Sequence, residues 1–185
     1  MKTPFKTILI SALATFATFI SVMYISCNRD KCRTVVCANN GVCNQGTCIC
    51  PSGYGGTNCQ TVLRQKFLGL WQVFEKGSTT NAAQYPITII EGANITDVQI
   101  QNVFNYFTVP INATVGGVNG DSLFIPNQQL QGKLVFGVGY IYSTTTYGQF
   151  GSISMSYEVV DTATNIPDDF GYYAPDLSAP SSWNK

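Results

Sequence analysis

The chain has 185 residues, seven of them cysteine and none histidine, with ten basic and ten acidic side chains and a formal net charge of zero. So sparse and balanced a charge leaves no electrostatic footprint for nucleic acid and no basic patch for anionic lipid. The missing histidine removes the commonest general base and every histidine-assisted nucleophile.

Met1 to Ser26 has the three-part layout of an export signal: Lys2 and Lys6 give a positive start, Thr7 to Ile25 is apolar, and Ser26 is small. Without it, eight basic face ten acidic side chains, a net charge of −2. The seventh cysteine, Cys27, follows at once. Tyr24-Ile25-Ser26-Cys27 resembles the lipobox of bacterial lipoproteins, with Tyr24 standing where leucine is typical. The resemblance implies that Cys27 becomes the lipidated first residue of the mature chain. Two other readings stay open. The apolar run is long enough to span a bilayer as an uncleaved anchor, or Cys27 is an ordinary thiol after a standard signal peptide. All three put residues 28–185 outside the cytoplasm, and the first two hold them at a membrane.

Next come six cysteines, Cys32, Cys37, Cys43, Cys48, Cys50 and Cys59, with four, five, four, one and eight residues between them. A segment this short cannot bury a core of its own and folds only if crosslinks take over that task, which requires an oxidising compartment. Asn44-Gln45-Gly46-Thr47 has hairpin length, with Gly46 suited to the turn, so it can bring Cys43 and Cys48 close. A metal site is the competing reading. It lacks histidine and the paired Cys-x-x-Cys spacing, and no metal is expected.

At Cys48-x-Cys50-x-x-Gly53-Tyr54-x-x-x-x-Cys59 the segment resembles an EGF-like module. Six cysteines alone allow fifteen pairings, and the resemblance implies one: Cys32 with Cys43, Cys37 with Cys48, Cys50 with Cys59. Calcium-binding EGF modules carry acidic or amide side chains where Asn28 and Asp30 stand, but Lys31 replaces their usual Glu or Gln and the Cys43 to Cys48 loop is too short for their further motif. Calcium is therefore not expected, and Asn28 and Asp30 read as linker. The short loop is similar to tenascin-type repeats, which serve chiefly as spacers and protein-contact modules.

Gln60 to Phe67 reads as a linker or a short helical turn. From Gly69 onward apolar and polar residues alternate in run after run, predicting strands near 69–75, 85–91, 96–102, 106–115, 121–126, 133–143 and 151–161. Ile153, Met155, Tyr157 and Val159 form one face of the last, and Phe107, Val109, Ile111, Ala113 and Val115 one face of the fourth, where Pro110 predicts an edge or a bulge. Turn-rich connections at Gly92-Ala93-Asn94, Asn119-Gly120-Asp121 and 144–148 favour antiparallel hairpins. Gly137 and Gly139 on one face of the strand at 133–143 suit strong curvature. The fold class is mainly β: a small disulfide-rich module, then an antiparallel meander closing into a small barrel or sandwich.

Gly69-Leu70-Trp71 resembles the G-x-W signature that opens lipocalin-like barrels, although an eighth strand is not visible. The whole arrangement is similar to small surface lipoproteins of the Bacteroidetes group, which implies the outer membrane or cell surface as location. The expected organisation is 1–26 signal or anchor, 28–60 EGF-like module, 67–163 β-domain and 164–185 loose tail. In that tail, with Pro167, Pro175, Pro180 and Asp168-Asp169, Tyr172 and Tyr173 are expected to dock on the barrel, and Trp183 reads as either a docking anchor or incidental, the latter being the plainer reading.

Catalysis finds little support. The carboxylates Glu75, Glu91, Asp121 and Glu158 are candidates for glycosidic hydrolysis, but they fall at strand ends or on polar faces where solvated charge explains them. Asn94-Ile95-Thr96 and Asn112-Ala113-Thr114 fit the N-glycosylation sequon; Asp121-Ser122-Leu123 and Asp161-Thr162-Ala163 resemble the O-glycosylation motif of Bacteroidetes surface proteins. The expected function is a non-catalytic binding or adhesion module for an extracellular protein or glycan, without cofactor, with the EGF-like segment as a stiff spacer. The alternative is a lipocalin-like carrier of a small apolar ligand, lined by Trp71, Phe74, Phe136, Tyr140 and Tyr157.

Overall fold

The computed structural model describes residues 30–142, 151–173 and 179–185. Met1 to Ser26, Cys27, Asn28 and the turn expected at 144–148 lie outside the described residues.

The first module has the expected crosslinks, Cys32–Cys43, Cys37–Cys48 and Cys50–Cys59. Strand β1 (Val42–Asn44) pairs with β2 (Thr47–Ile49), with Cys43 opposite Cys48. Gln45 and Gly46, both at positive φ (50° and 90°), make the two-residue turn between them, as a hairpin of this twist requires. A second short pair, β3 (Tyr54–Gly55) and β4 (Thr61–Val62), completes the module. The side chains confirm that it has no apolar core: Val36, Val42 and Ile49 are 80%, 65% and 57% exposed, while Cys59 is fully buried. Each disulfide-closed loop therefore contributes stability through the unfolded chain, about 2–3 kcal/mol in the chain-entropy account.

Leu63–Lys66 forms a 3-10 turn that joins the module to the β-domain. It is no slack linker. Leu63 lies between Gly55 of the module and Gly120 of the β-domain, and a Cβ on either glycine would come within 2.6 Å of it. Arg64 donates to the carbonyls of Asn94 (2.6 Å), Asp97 (3.3 Å) and Gly92 (3.4 Å) and pairs with Glu91 at 3.0 Å. Lys66 donates to the Asn119 carbonyl at 2.8 Å. Two hairpin ends of the β-domain are thus fixed to the joining turn.

The β-domain runs β5 (Gly69–Glu75), β6 (Ala83–Glu91), β7 (Asp97–Gln101), β8 (Ile111–Gly116), β9 (Ser122–Leu130), β10 (Lys133–Tyr142), β11 (Ser152–Asp161), β12 (Pro167–Phe170) and β13 (Ser181–Asn184). Strands β5 to β11 form the expected meander. Its two ends meet through β13, which pairs with β11 on one side and β5 on the other, making a closed antiparallel barrel of eight strands. The inward residues form one core that includes Trp71, Ile87, Ile100, Ile111, Leu123, Val135, Ile153, Met155, Tyr157 and Trp183.

Three expectations are corrected. Residues 164–173 and 179–185 are no loose tail: β13 is the eighth strand that was not visible in the sequence, and Trp183, for which the incidental reading was the plainer one, is an anchor, 1% exposed and standing between Ile153 and Val73. The physical reason is an open edge. β13 covers β11 over Ser152–Met155, and β12 covers the rest of that edge, from Tyr157 to Val160. Second, residues 106–110 are not strand; a 3-10 turn at Val103–Asn105 precedes them, with Asn102, Phe104 and Asn105 at positive φ, and pairing begins only after Pro110. Val109, expected inside, is 40% exposed. Third, the inward face of β10 is the glycine face. Gly137 stands opposite Tyr157 and Gly139 opposite Met155, and a Cβ on them would lie 2.4 Å and 2.6 Å from those side chains.

Trp183→Ala is expected to lower the unfolding free energy by about 3–5 kcal/mol, since it removes a large buried ring at the closing strand. Urea denaturation measures this as a lower midpoint, and a loss below about 1 kcal/mol would mean that β13 is not part of the closed barrel.

Candidate functional site

The most concentrated set of polar groups inside the barrel surrounds Glu75, at the end remote from the EGF-like module. Alternation along β5 turns this carboxylate inward with Trp71 and Val73, and Glu75 is only 8% exposed. Three hydroxyls from three other strands donate to it: Tyr85 of β6 to Oε1 at 2.5 Å, and Tyr157 of β11 and Ser181 of β13 to Oε2 at 2.7 Å and 2.8 Å. The Trp183 indole then donates to Ser181 Oγ at 2.8 Å. A carboxylate this far from water survives because donors replace its hydration.

Burial pushes the Glu75 carboxyl above its ordinary 4.5 and the charge of Asp168 adds to this, while the bonds from Tyr85, Tyr157 and Ser181 pull it back. Burial also raises both phenols well above 10, reinforced at Tyr85 by Glu75 and at Tyr157 by Tyr85 and Glu75. Both phenols therefore remain donors at physiological pH. The expectation that Glu75 is a solvated strand-end charge is thereby corrected: it is a buried acceptor at the seam. The arrangement joins β5, β6, β11 and β13 and consumes every donor aimed at the carboxylate, so chemically it is a clasp.

Asp168 of β12 extends the clasp to the β5–β6 loop. Its Oδ1 accepts the Thr79 and Thr80 amides at 2.8 Å and 3.3 Å, and its Oδ2 accepts the Thr80 hydroxyl. The other carboxylates named from sequence do not converge on Glu75. Glu91 pairs with Arg64 and Asp121 with Lys66, at the end near the module. Glu158 lies on the outer face opposite Asp169; burial raises its carboxyl and Asp169 adds to the rise. Among the described residues no group of three or more cysteine, aspartate or glutamate side chains could hold a metal ion.

The five aromatics named as pocket lining divide between two faces. Trp71 and Tyr157 are fully buried core, Trp71 donating to the Phe67 carbonyl at 2.6 Å. Phe74, Phe136 and Tyr140 point outward, which corrects the expected lining: Phe74 and Tyr140 are 43% and 47% exposed, and Phe136 packs edge-on against Tyr172 at 5.1 Å and Tyr173 at 6.1 Å. The docking expected of Tyr172 and Tyr173 is therefore made, on the outside of the barrel. Of the modification motifs, Asn94 donates to Asp97 at 2.5 Å, Asn112 lies within β8, Ser122 is buried, and Thr162 donates to the Gly132 carbonyl. On the module, an open groove of about 340 Å³ beside Val35, Val36, Gly46 and Thr47 contains no titratable side chain.

Sequence reasoning missed Ser181, Trp183, Tyr85 and Asp168 as members of one cluster. The only signal in Ser181-Ser182-Trp183-Asn184 is Trp183 two residues from Ser181, the spacing of one strand face, and the segment's polarity disguised it.

Fold and site together define an EGF-like module packed against a closed antiparallel β-barrel with an apolar core. Residues 34–61 match the Teneurin-like EGF domain. No curated protein and no solved structure matches the chain.

Because Glu75 has a higher pKa folded than unfolded, its protonated form favours the fold. That contribution is full below about 4.5 and is lost as pH rises through the raised folded value. Glu75→Gln, which cannot ionise, is expected to lose less stability than the wild type between about pH 4 and about pH 8. Thermal unfolding across that range checks it; parallel profiles would show that Glu75 titrates alike in both states.

Proposed function

We propose that the chain is an exported, membrane-tethered binding or adhesion module without catalytic activity, in which the EGF-like segment is a spacer and the outer face of the barrel meets an extracellular protein or glycan. What supports this reading is the close packing of the described inward side chains. Tyr157 and Met155 occupy the space that Gly137 and Gly139 leave open, and Trp71, Trp183, Phe107 and Phe170 are buried in the same core at 2% exposure or less. A carrier needs an enclosed cavity of about 300 Å³ or more. Recognition is then left to the outer surface, where Phe74, Phe136 and Tyr140 point.

The disulfide-rich module is that of an extracellular or secreted protein. Lipid on Cys27 supplies the tether in this reading, with an uncleaved anchor as the other means. The absence of catalysis rests on the chain's lack of histidine and on the mutual bonding of Glu75, Tyr85 and Tyr157, which leaves these perturbed groups no free proton acceptor for a substrate.

The full-length chain, purified in detergent, is expected to bind components of immobilised glycan and extracellular-protein panels, and organic extracts of it to contain no stoichiometric apolar compound by mass spectrometry. A bound apolar compound at one equivalent, with no panel binding, would replace this reading by the carrier.

A further inference from the structure

The outer face of the barrel changes character at the seam where it closes. Tyr140 and Tyr142 of β10 point outward at 47% and 54% exposure, and Phe74 of β5 at 43%. Between them run β11 and β13, whose outward side chains in this stretch, Ser152, Ser154, Ser182 and Asn184, are small and uncharged. Tyr140 stands opposite Ser154, Ser154 opposite Ser182, and Ser182 opposite Phe74. In the adjacent row Tyr142 stands opposite Ser152, and Ser152 opposite Asn184. With neighbouring strands about 4.8 Å apart, the aromatic banks are about 14 Å apart along the sheet. The floor between them consists of hydroxyls and one amide, partly ordered by the Asn184 amide donating to Ser182 Oγ at 3.2 Å.

We propose that this trough binds a neutral glycan. The inference rests on the reading of the chain as a binding module and supplies its ligand class. Neither row contains a charged side chain, so the trough offers no pairing to phosphate, sulfate or carboxylate. Serine hydroxyls and an asparagine amide each both donate and accept, as sugar hydroxyls do, and the two can be matched group for group. The exposed rings supply flat apolar area for the C–H face of a sugar, at small conformational cost because an aromatic side chain has two rotatable bonds. A protein partner fits less well. The centre of a protein interface is dry, and burying this floor under apolar side chains would strip its hydroxyls and amide of partners.

The test uses the full-length chain and a panel of neutral di- to hexasaccharides beside sialylated, sulfated and uronate-bearing ones, with proteins on the same surface. Binding to neutral members is expected, weakened about tenfold by Tyr140→Ala or Phe74→Ala and abolished by Ser154→Lys, which fills and charges the floor. Val36→Ala, on the module, should leave it unchanged. Thermal unfolding of each variant separates lost binding from lost folding, and Ser154→Lys remains informative where an aromatic replacement fails to fold. Neutral-glycan binding indifferent to all three trough variants would overturn the site, and binding confined to acidic glycans or to a protein would overturn the ligand class. Either result leaves the binding module standing, whereas no binding to any panel member removes both readings.

Discussion

Closure of the barrel depends on a four-residue strand, β13, wedged between β5 and β11. An open meander would leave two unpaired edges, each a row of backbone donors and acceptors exposed to water or to another chain. β13 removes the problem with backbone pairing on both sides and with two inward side chains, Ser181 and Trp183. Ser181 reaches the carboxylate of Glu75 across the seam and accepts the Trp183 indole. The same strand therefore supplies apolar burial and polar satisfaction, and one without the other would not hold. A buried carboxylate short of a donor costs more than the bond it lost.

The interior is settled by matching sizes across neighbouring strands. Tyr157 and Met155 are large, and the positions opposite them on β10 are Gly137 and Gly139. Close packing at these positions turns the aromatic face of β10 outward as a direct consequence of period-two alternation. The glycines packed under Tyr157 and Met155 and the aromatics on the exterior are thus one fact about β10, seen from its two sides.

The two parts of the chain pack against each other at the junction. Leu63 is held between glycines of the two parts, and Arg64 gathers three carbonyls of the β6–β7 hairpin while pairing with Glu91. Ile95 of that hairpin also lies against Gly53 of the module, where a Cβ would come within 2.6 Å of it. A module with no apolar core of its own is crosslinked by its disulfides and seated on the barrel through these contacts.

By itself the sequence determined the crosslinked module, its three pairings through resemblance, and the meander from β5 to β11 apart from residues 106–110, because cysteine spacing and alternation are local signals. It also determined which residues of β11 face inward. Only tertiary structure decided the rest. Whether Gly137 or Phe136 faces the core depends on what stands opposite on β11, and alternation alone is symmetric between the two faces. Ser181-Ser182-Trp183-Asn184 became a strand because β5 and β11 left a gap of the right length, and Glu75 became a buried acceptor because that strand delivered a hydroxyl to it. Those are long-range matters, in which a weakly patterned segment takes the form that its neighbours' unpaired edges and unfilled volume impose.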